Sequence, residues 1–254
     1  MIRSPCTHSH STLVAIAAFA FIIACVAHEA IGHGGACLAV GGRITLLTSV
    51  YFHCTNGGPL TDAAGPLMNL VVGTACWLYL RTRFVSSNLR LFLAFAMAFN
   101  LFWGAGYFIL SAITNTGDWA FVLRDLALEP PWAWRLLMGS VGFLFYVLST
   151  RAVAACLPPR PPLIAPYLVA GAVSCGAALF FPGPVLSAIR EAAQESLGAS
   201  VGLLVLANRN ARRAQLQSSV LLVPYSTRWL LSSILVTIAF FLLLGRGFGA
   251  AGHT

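Results

Sequence analysis

Seven long apolar runs follow one another along the chain, separated by short polar stretches. They cover about 12–34, 61–81, 90–113, 135–156, 163–181, 185–207 and 229–245. A helix needs about 20 apolar residues to cross a bilayer. A spanning β-barrel would instead show short segments alternating between apolar and polar, which these runs do not. The pattern predicts an all-α polytopic membrane protein with six to seven transmembrane helices. The sixth run is the weakest, because Arg190, Glu191, Gln194 and Glu195 interrupt it. Ser187, Glu191 and Glu195 are spaced four apart and share one helix face, so this segment either lies at the interface or lines a polar cavity. Pro158, Pro159, Pro161 and Pro162 punctuate the turn after the fourth run, Phe181-Pro182-Gly183-Pro184 ends the fifth, and 209–228 is a polar linker.

Between the first two runs, 38-LAVGGRITLLTSVYFHC-54 changes character. It is rich in β-branched and aromatic residues and carries a Gly-Gly turn signal before Arg43. A strand or hairpin is expected there, covered by protein, since bare strands cannot face lipid.

Composition agrees with the membrane reading. The chain is 58% hydrophobic and 9% charged, with a mean hydropathy of +0.82, whereas soluble domains carry roughly 25% charged residues. The net charge of +8 comes from fifteen basic residues, all Arg, lying mostly between the apolar runs. Such placement controls topology and excludes a nucleic-acid partner. Residues 12–27 resemble the apolar part of a signal peptide. However, the run continues into His28-Glu29 and only Arg3 precedes it, so a spanning helix is expected. If all seven runs cross, ten Arg residues share the N-terminal side, leaving Arg43, Arg124, Arg135, Arg190 and Arg246 opposite. The N-terminus is then cytoplasmic, provided the sixth run is a full crossing. The seven Cys residues form no C-x-x-C pair and look like small core residues, although Cys37 and Cys54 flank one short loop and could bridge.

Ionisable residues inside apolar helices mark functional sites, and His28, Glu29 and His33 form such a cluster at the end of the first run. Zinc-protease helices carry H-E-x-x-H, but here the histidines are five apart. On an α-helix, residues five apart point about 140° away from each other. A π-bulge would bring them back together, and Gly32, Gly34 and Gly35 make a distorted helix plausible. Alternatively Glu29 and His33, which are four apart, bind a metal with the roles of His28 and Glu29 exchanged. A catalytic zinc needs a third protein ligand. Asp118, after the third run, is the leading candidate and His53 the competing one. Their bland readings are an N-cap following Gly117 and a surface strand residue. His8, His10 and His253 are expected to be solvated near the termini.

His28-Glu29…His33, then Gly41-Gly42-Arg43, then 64-AGPLMN-69 together resemble the site-2 protease family of intramembrane zinc metallopeptidases. Asn100 and Asp118 fall in the order in which that family has an Asn and a third-ligand Asp, though its Asp-Gly pair is here Gly117-Asp118-Trp119. The resemblance covers about 12–122, a three-helix catalytic core, and leaves 123–254 as additional transmembrane helices of unknown role. It implies Zn²⁺ held by His28, His33 and Asp118, with Glu29 as the general base acting on a metal-activated water. It also implies that Asn69 orients substrate or the helix pair, with Gly65 and Pro66 opening that helix for close packing. The implied function is hydrolysis of a membrane-protein or peptide substrate in or near the lipid. The same features admit an inactive relative serving as scaffold or binder, or a zinc hydrolase of lipid amides or esters. The family's site usually lies toward the cytoplasmic face, whereas the Arg count places the end of the first run outside. The oligomeric state has no sequence signature.

Overall fold

Ser9 opens the first helix by accepting the Thr12 backbone N–H on its hydroxyl. The helix then runs unbroken from α1 (His10–Val26) through a π-helical stretch (Ala27–Gly34) into α2 (Gly35–Ala39). The computed structural model describes residues 9–157, 162–213 and 223–249. Pro158, Pro159, Pro161, His8, His253 and the linker residues 214–222 lie outside the described residues.

A two-stranded antiparallel hairpin follows, β1 (Ile44–Leu47) with β2 (Phe52–Cys54). A disulfide between Cys37 and Cys54 ties it to α2. Next come α3 (Pro59–Thr82), α4 (Ser87–Thr114), the short α5 (Asp118–Asp125) and α6 (Pro131–Cys156). The second half continues with α7 (Ile164–Ala178), α8 (Val185–Ala193), a π-helical turn (Gln194–Gly198) and α9 (Val201–Arg213). Helix α10 (Thr227–Phe240) ends in a third π-helical turn (Phe241–Gly245).

Five of these helices are long and apolar enough to cross a membrane: His10–Ala39, Pro59–Thr82, Ser87–Thr114, Pro131–Cys156 and Thr227–Gly245. The fold is thus all-α and polytopic with one small sheet. The fifth run is shorter than its sequence suggests, because its helix stops at Ala178. The sixth is longer, continuing through its acidic positions to Arg213.

Helices α1 and α4 form the centre. Phe21 packs edge-on against Phe99 and stacks on Trp103, with ring centroids 5.5 and 5.7 Å apart. The outer helices α3, α6 and α10 leave Leu78, Phe143 and Leu235 exposed, a surface suited to lipid. Helix association in a bilayer depends on close packing rather than on removal of apolar surface from water.

Contacts at the two ends fix how the helices run. At one end, Ser9 donates to Val223 O at 2.9 Å, Ser226 to Thr12 Oγ1 at 3.0 Å and Asn88 to Pro224 O at 3.3 Å. At the other, Ser49 donates to Leu244 O at 2.8 Å, Leu47 and Phe248 pair as a bridge, and Tyr51 packs on Phe181. The chain beyond α10 thus covers the outer edge of β1, the cover that the sequence demands for its strand segment.

Candidate metal centre

The π-helical stretch resolves the spacing problem. Bonding from i to i+5 stacks residues five apart on one side of the helix, so the His28 and His33 side chains meet, their Nε2 atoms 3.2 Å apart. The extra residue between them is absorbed by the backbone, and His28 and His33 are paired rather than Glu29 and His33. His28, Glu29 and His33 are 1%, 2% and 4% exposed.

Both imidazoles are oriented through Nδ1. His28 Nδ1 donates to Asn69 Oδ1 at 2.6 Å, and His33 Nδ1 donates to the Thr61 carbonyl at 2.7 Å. These partners are acceptors, so each neutral ring carries its proton on Nδ1 and turns the lone pair of Nε2 inward, the arrangement of a metal-binding histidine. Asn69 is fixed in turn, donating to Ala24 O at 3.0 Å and to Asn100 Oδ1 at 2.9 Å, while Asn100 donates to Ala96 O at 2.8 Å. Removing such a partner typically costs 10–100-fold in metal affinity. Asn69→Ala is therefore expected to weaken binding by roughly that factor in a chelator competition. An unchanged affinity would show that Asn69 only joins helices.

Asp118 reaches the same point from α5. The chain reverses through Asn115, at φ 57°, and Gly117, at φ 80°, conformations that favour Asn and Gly. This turn returns Asp118 toward α1, where its Oδ2 lies 3.1 Å from His28 Nε2 and 3.5 Å from His33 Nε2. The side chain points at the histidines instead of capping α5. Burial alone would raise its pKa; when the imidazoles are protonated, the charge of His33 and the hydrogen bonds from both rings outweigh burial and hold the carboxyl below the usual carboxylate range.

The three ligand atoms fit a metal. Asp118 Oδ2 is buried without a hydrogen-bond partner, and two inward imidazole lone pairs face it. Bonds of about 2.0–2.1 Å at tetrahedral angles separate ligand atoms by about 3.3–3.4 Å, close to the observed 3.1, 3.2 and 3.5 Å. His28, His33 and Asp118 thus form a buried group that could hold a metal ion. His53 is not part of it. It is exposed on β2 and lines the approach.

Two backbone approaches make room for this geometry. A Cβ on Gly32 would lie 2.7 Å from Ala64 O and from Gly65 Cα, and one on Gly65 would fall on the Nε2 atoms of both histidines. The Ala64-Gly65-Pro66 stretch therefore lets α3 pass directly over the imidazoles. Trp103 and Phe52 stack on His28 and His33, with ring centroids 5.1 and 5.4 Å away, and Tyr107 packs on His28 at 5.1 Å.

The centre opens into a cavity of about 810 Å³ that Glu29 also lines. Its wall includes residues far along the chain: Glu191, Gln194 and Glu195. Glu195 is buried, accepts the Tyr107 hydroxyl at 2.6 Å, and leaves Oε2 without a partner. The polar-cavity expectation for the sixth run thus holds for Glu191 and Glu195, whereas Ser187 is exposed elsewhere. Sequence reasoning missed Trp103, Tyr107 and the Thr61 carbonyl. Asn100, Trp103 and Tyr107 stand at i, i+3 and i+7, one helix face, which was the available signal for the two rings. A backbone acceptor such as Thr61 O leaves none. No protein-family model, curated protein or solved structure matches this chain, so the chemistry must be read from the site itself.

Proposed function

We propose that this protein is a membrane-embedded zinc metallopeptidase in which His28, His33 and Asp118 hold the metal and Glu29 is the general base. The observation that carries this reading is the convergence of three inward-facing donor atoms beside a buried glutamate. Two nitrogens and one carboxylate oxygen suit zinc, and three protein ligands leave a fourth position open, as catalytic zinc sites do. Zinc at that position would supply a Lewis acid and a water acidic near neutral pH.

The chain's own residues do the rest. Glu29, next in sequence to a ligand and lining the same cavity, accepts the proton of the attacking water and returns it to the leaving amine. Asn69 and Thr61 O keep both imidazoles in one tautomer throughout. Phe52, Trp103 and Tyr107 shield the ligands from bulk water. Strand β2 lines the cavity through Phe52, His53 and Cys54, and its second edge is unpaired among the described residues. Extended peptides pair with such edges. Polar walls at His53, Asp62, Asp125 and Glu191 suit a peptide backbone better than an acyl chain, which weighs against a lipid hydrolase.

Metal analysis tests this. Purified protein reconstituted with zinc is expected to retain about one ion per chain, and His28→Ala or His33→Ala to retain far less. Wild-type protein without stoichiometric zinc after reconstitution would exclude the peptidase.

A further inference from the structure

The two ends of the bundle differ in charge and in cysteine chemistry. The end opposite the metal centre, where Ser9 meets Val223 and Asn88 meets Pro224, carries Arg81, Arg83, Arg90, Arg151 and Arg228, together with the Arg209–Arg213 terminus of α9. None of the seven acidic residues lies there. All of them, from Glu29 to Glu195, sit at the metal-centre end: six line the cavity, and Glu129 stands just before α6. Among the described residues, the Arg residues that share that end are Arg43, Arg124, Arg135, Arg190 and Arg246. The sixth run bears on the sequence count: Glu191 reaches the cavity at the start of the path formed by α8, the π-helical turn and α9, and Arg209 stands near its far end, so the path leads from the metal-centre end toward the opposite one.

The second observation is independent of charge. The disulfide joins Cys37 to Cys54 at the metal-centre end. Among the described residues, the free cysteines Cys25, Cys76, Cys156 and Cys175 lie along the helices. Disulfides persist in oxidising compartments and are rare where thiols are kept reduced. Arginine-rich ends stay in the cytoplasm.

We infer that the metal centre opens on the extracytoplasmic, oxidising side of the membrane, and that its substrates are polypeptide segments exposed on that side. This is opposite to the cytoplasmic placement that the family resemblance implies. The substrate half rests on the peptidase reading; the orientation half does not.

Leu126, exposed at the end of α5, and Ser87, exposed at the start of α4, mark the two ends, and neither lines the cavity. Leu126→Cys and Ser87→Cys, made singly with Cys37 and Cys54 intact, are treated in intact cells with a membrane-impermeant maleimide. The expected result is full labelling of Leu126→Cys, with Ser87→Cys labelled only after permeabilisation. Labelling of Ser87→Cys alone, of both or of neither before permeabilisation overturns the orientation. In parallel, Cys37 and Cys54 in the wild-type protein from those cells should resist alkylation until a reductant is added. Free thiols at both positions would also overturn it. Neither measurement needs activity or metal. Correct labelling without zinc binding would remove the peptidase and its substrates alone, and zinc binding with reversed labelling would remove the orientation alone.

Discussion

Glu29→Gln is expected to lower peptide hydrolysis by a factor on the order of 10²–10⁴, the usual contribution of general acid–base catalysis, while zinc content stays near wild type. The amide is nearly isosteric with the carboxylate, so the 2% exposed pocket of Glu29 need not rearrange. What disappears is the group that can take a proton next to the ligand His28. None of the bonds that orient the metal ligands involves Glu29, because His28 is held by Asn69, and His33 by Thr61 O. Turnover of a reconstituted peptide substrate and metal content should be measured on the same preparation. Hydrolysis unchanged in Glu29→Gln would remove Glu29 from the chemistry. Loss of both turnover and zinc would make it a ligand or a structural residue.

Gly65→Ala is expected to weaken zinc binding by roughly 10- to 100-fold, since overpacking typically costs about 1–3 kcal/mol and about 1.4 kcal/mol is tenfold. The added methyl would land on Nε2 of both His28 and His33. Those rings cannot retreat without breaking their bonds to Asn69 and Thr61 or displacing Phe52 and Trp103. Gly35→Ala, on the helix that carries the histidines, is the control. A Cβ there meets nothing within 4 Å, and alanine favours a helix over glycine by about 0.8–1.0 kcal/mol. It should leave zinc affinity unchanged and raise thermal stability slightly. Equal affinities for the two variants in a chelator competition would show that α3 does not govern the site.

The helices were legible because a lipid-facing helix needs apolar residues on every side, and that produces long unbroken runs. The shortened fifth helix was less so. Its run continues through Leu179, Phe180 and Phe181, and hydropathy cannot show that the chain turns after Ala178. At the site, His28, His33 and Asp118 announced themselves as ionisable groups beside apolar stretches. Which of Asp118 and His53 joins the histidines depended on the left-handed turn at Asn115–Gly117, a backbone event that Asn-Thr-Gly suggests without directing. The Tyr107–Glu195 pair joins residues 88 positions apart, and no local pattern encodes such a meeting.

The π-helical stretch from Ala27 to Gly34 has a consequence for how candidate metal helices are recognised. A ligand pair is defined by the angle at which two side chains leave the helix, and a widened turn changes how many residues separate equal angles. A histidine spacing of five here performs the geometric task that a spacing of four performs on an α-helix. A search that fixes the number of letters between ligands passes over this chain, whereas one that fixes their azimuth finds it. The helix thus takes up the additional residue between His28 and His33 as a change of winding, with both side chains still facing one point.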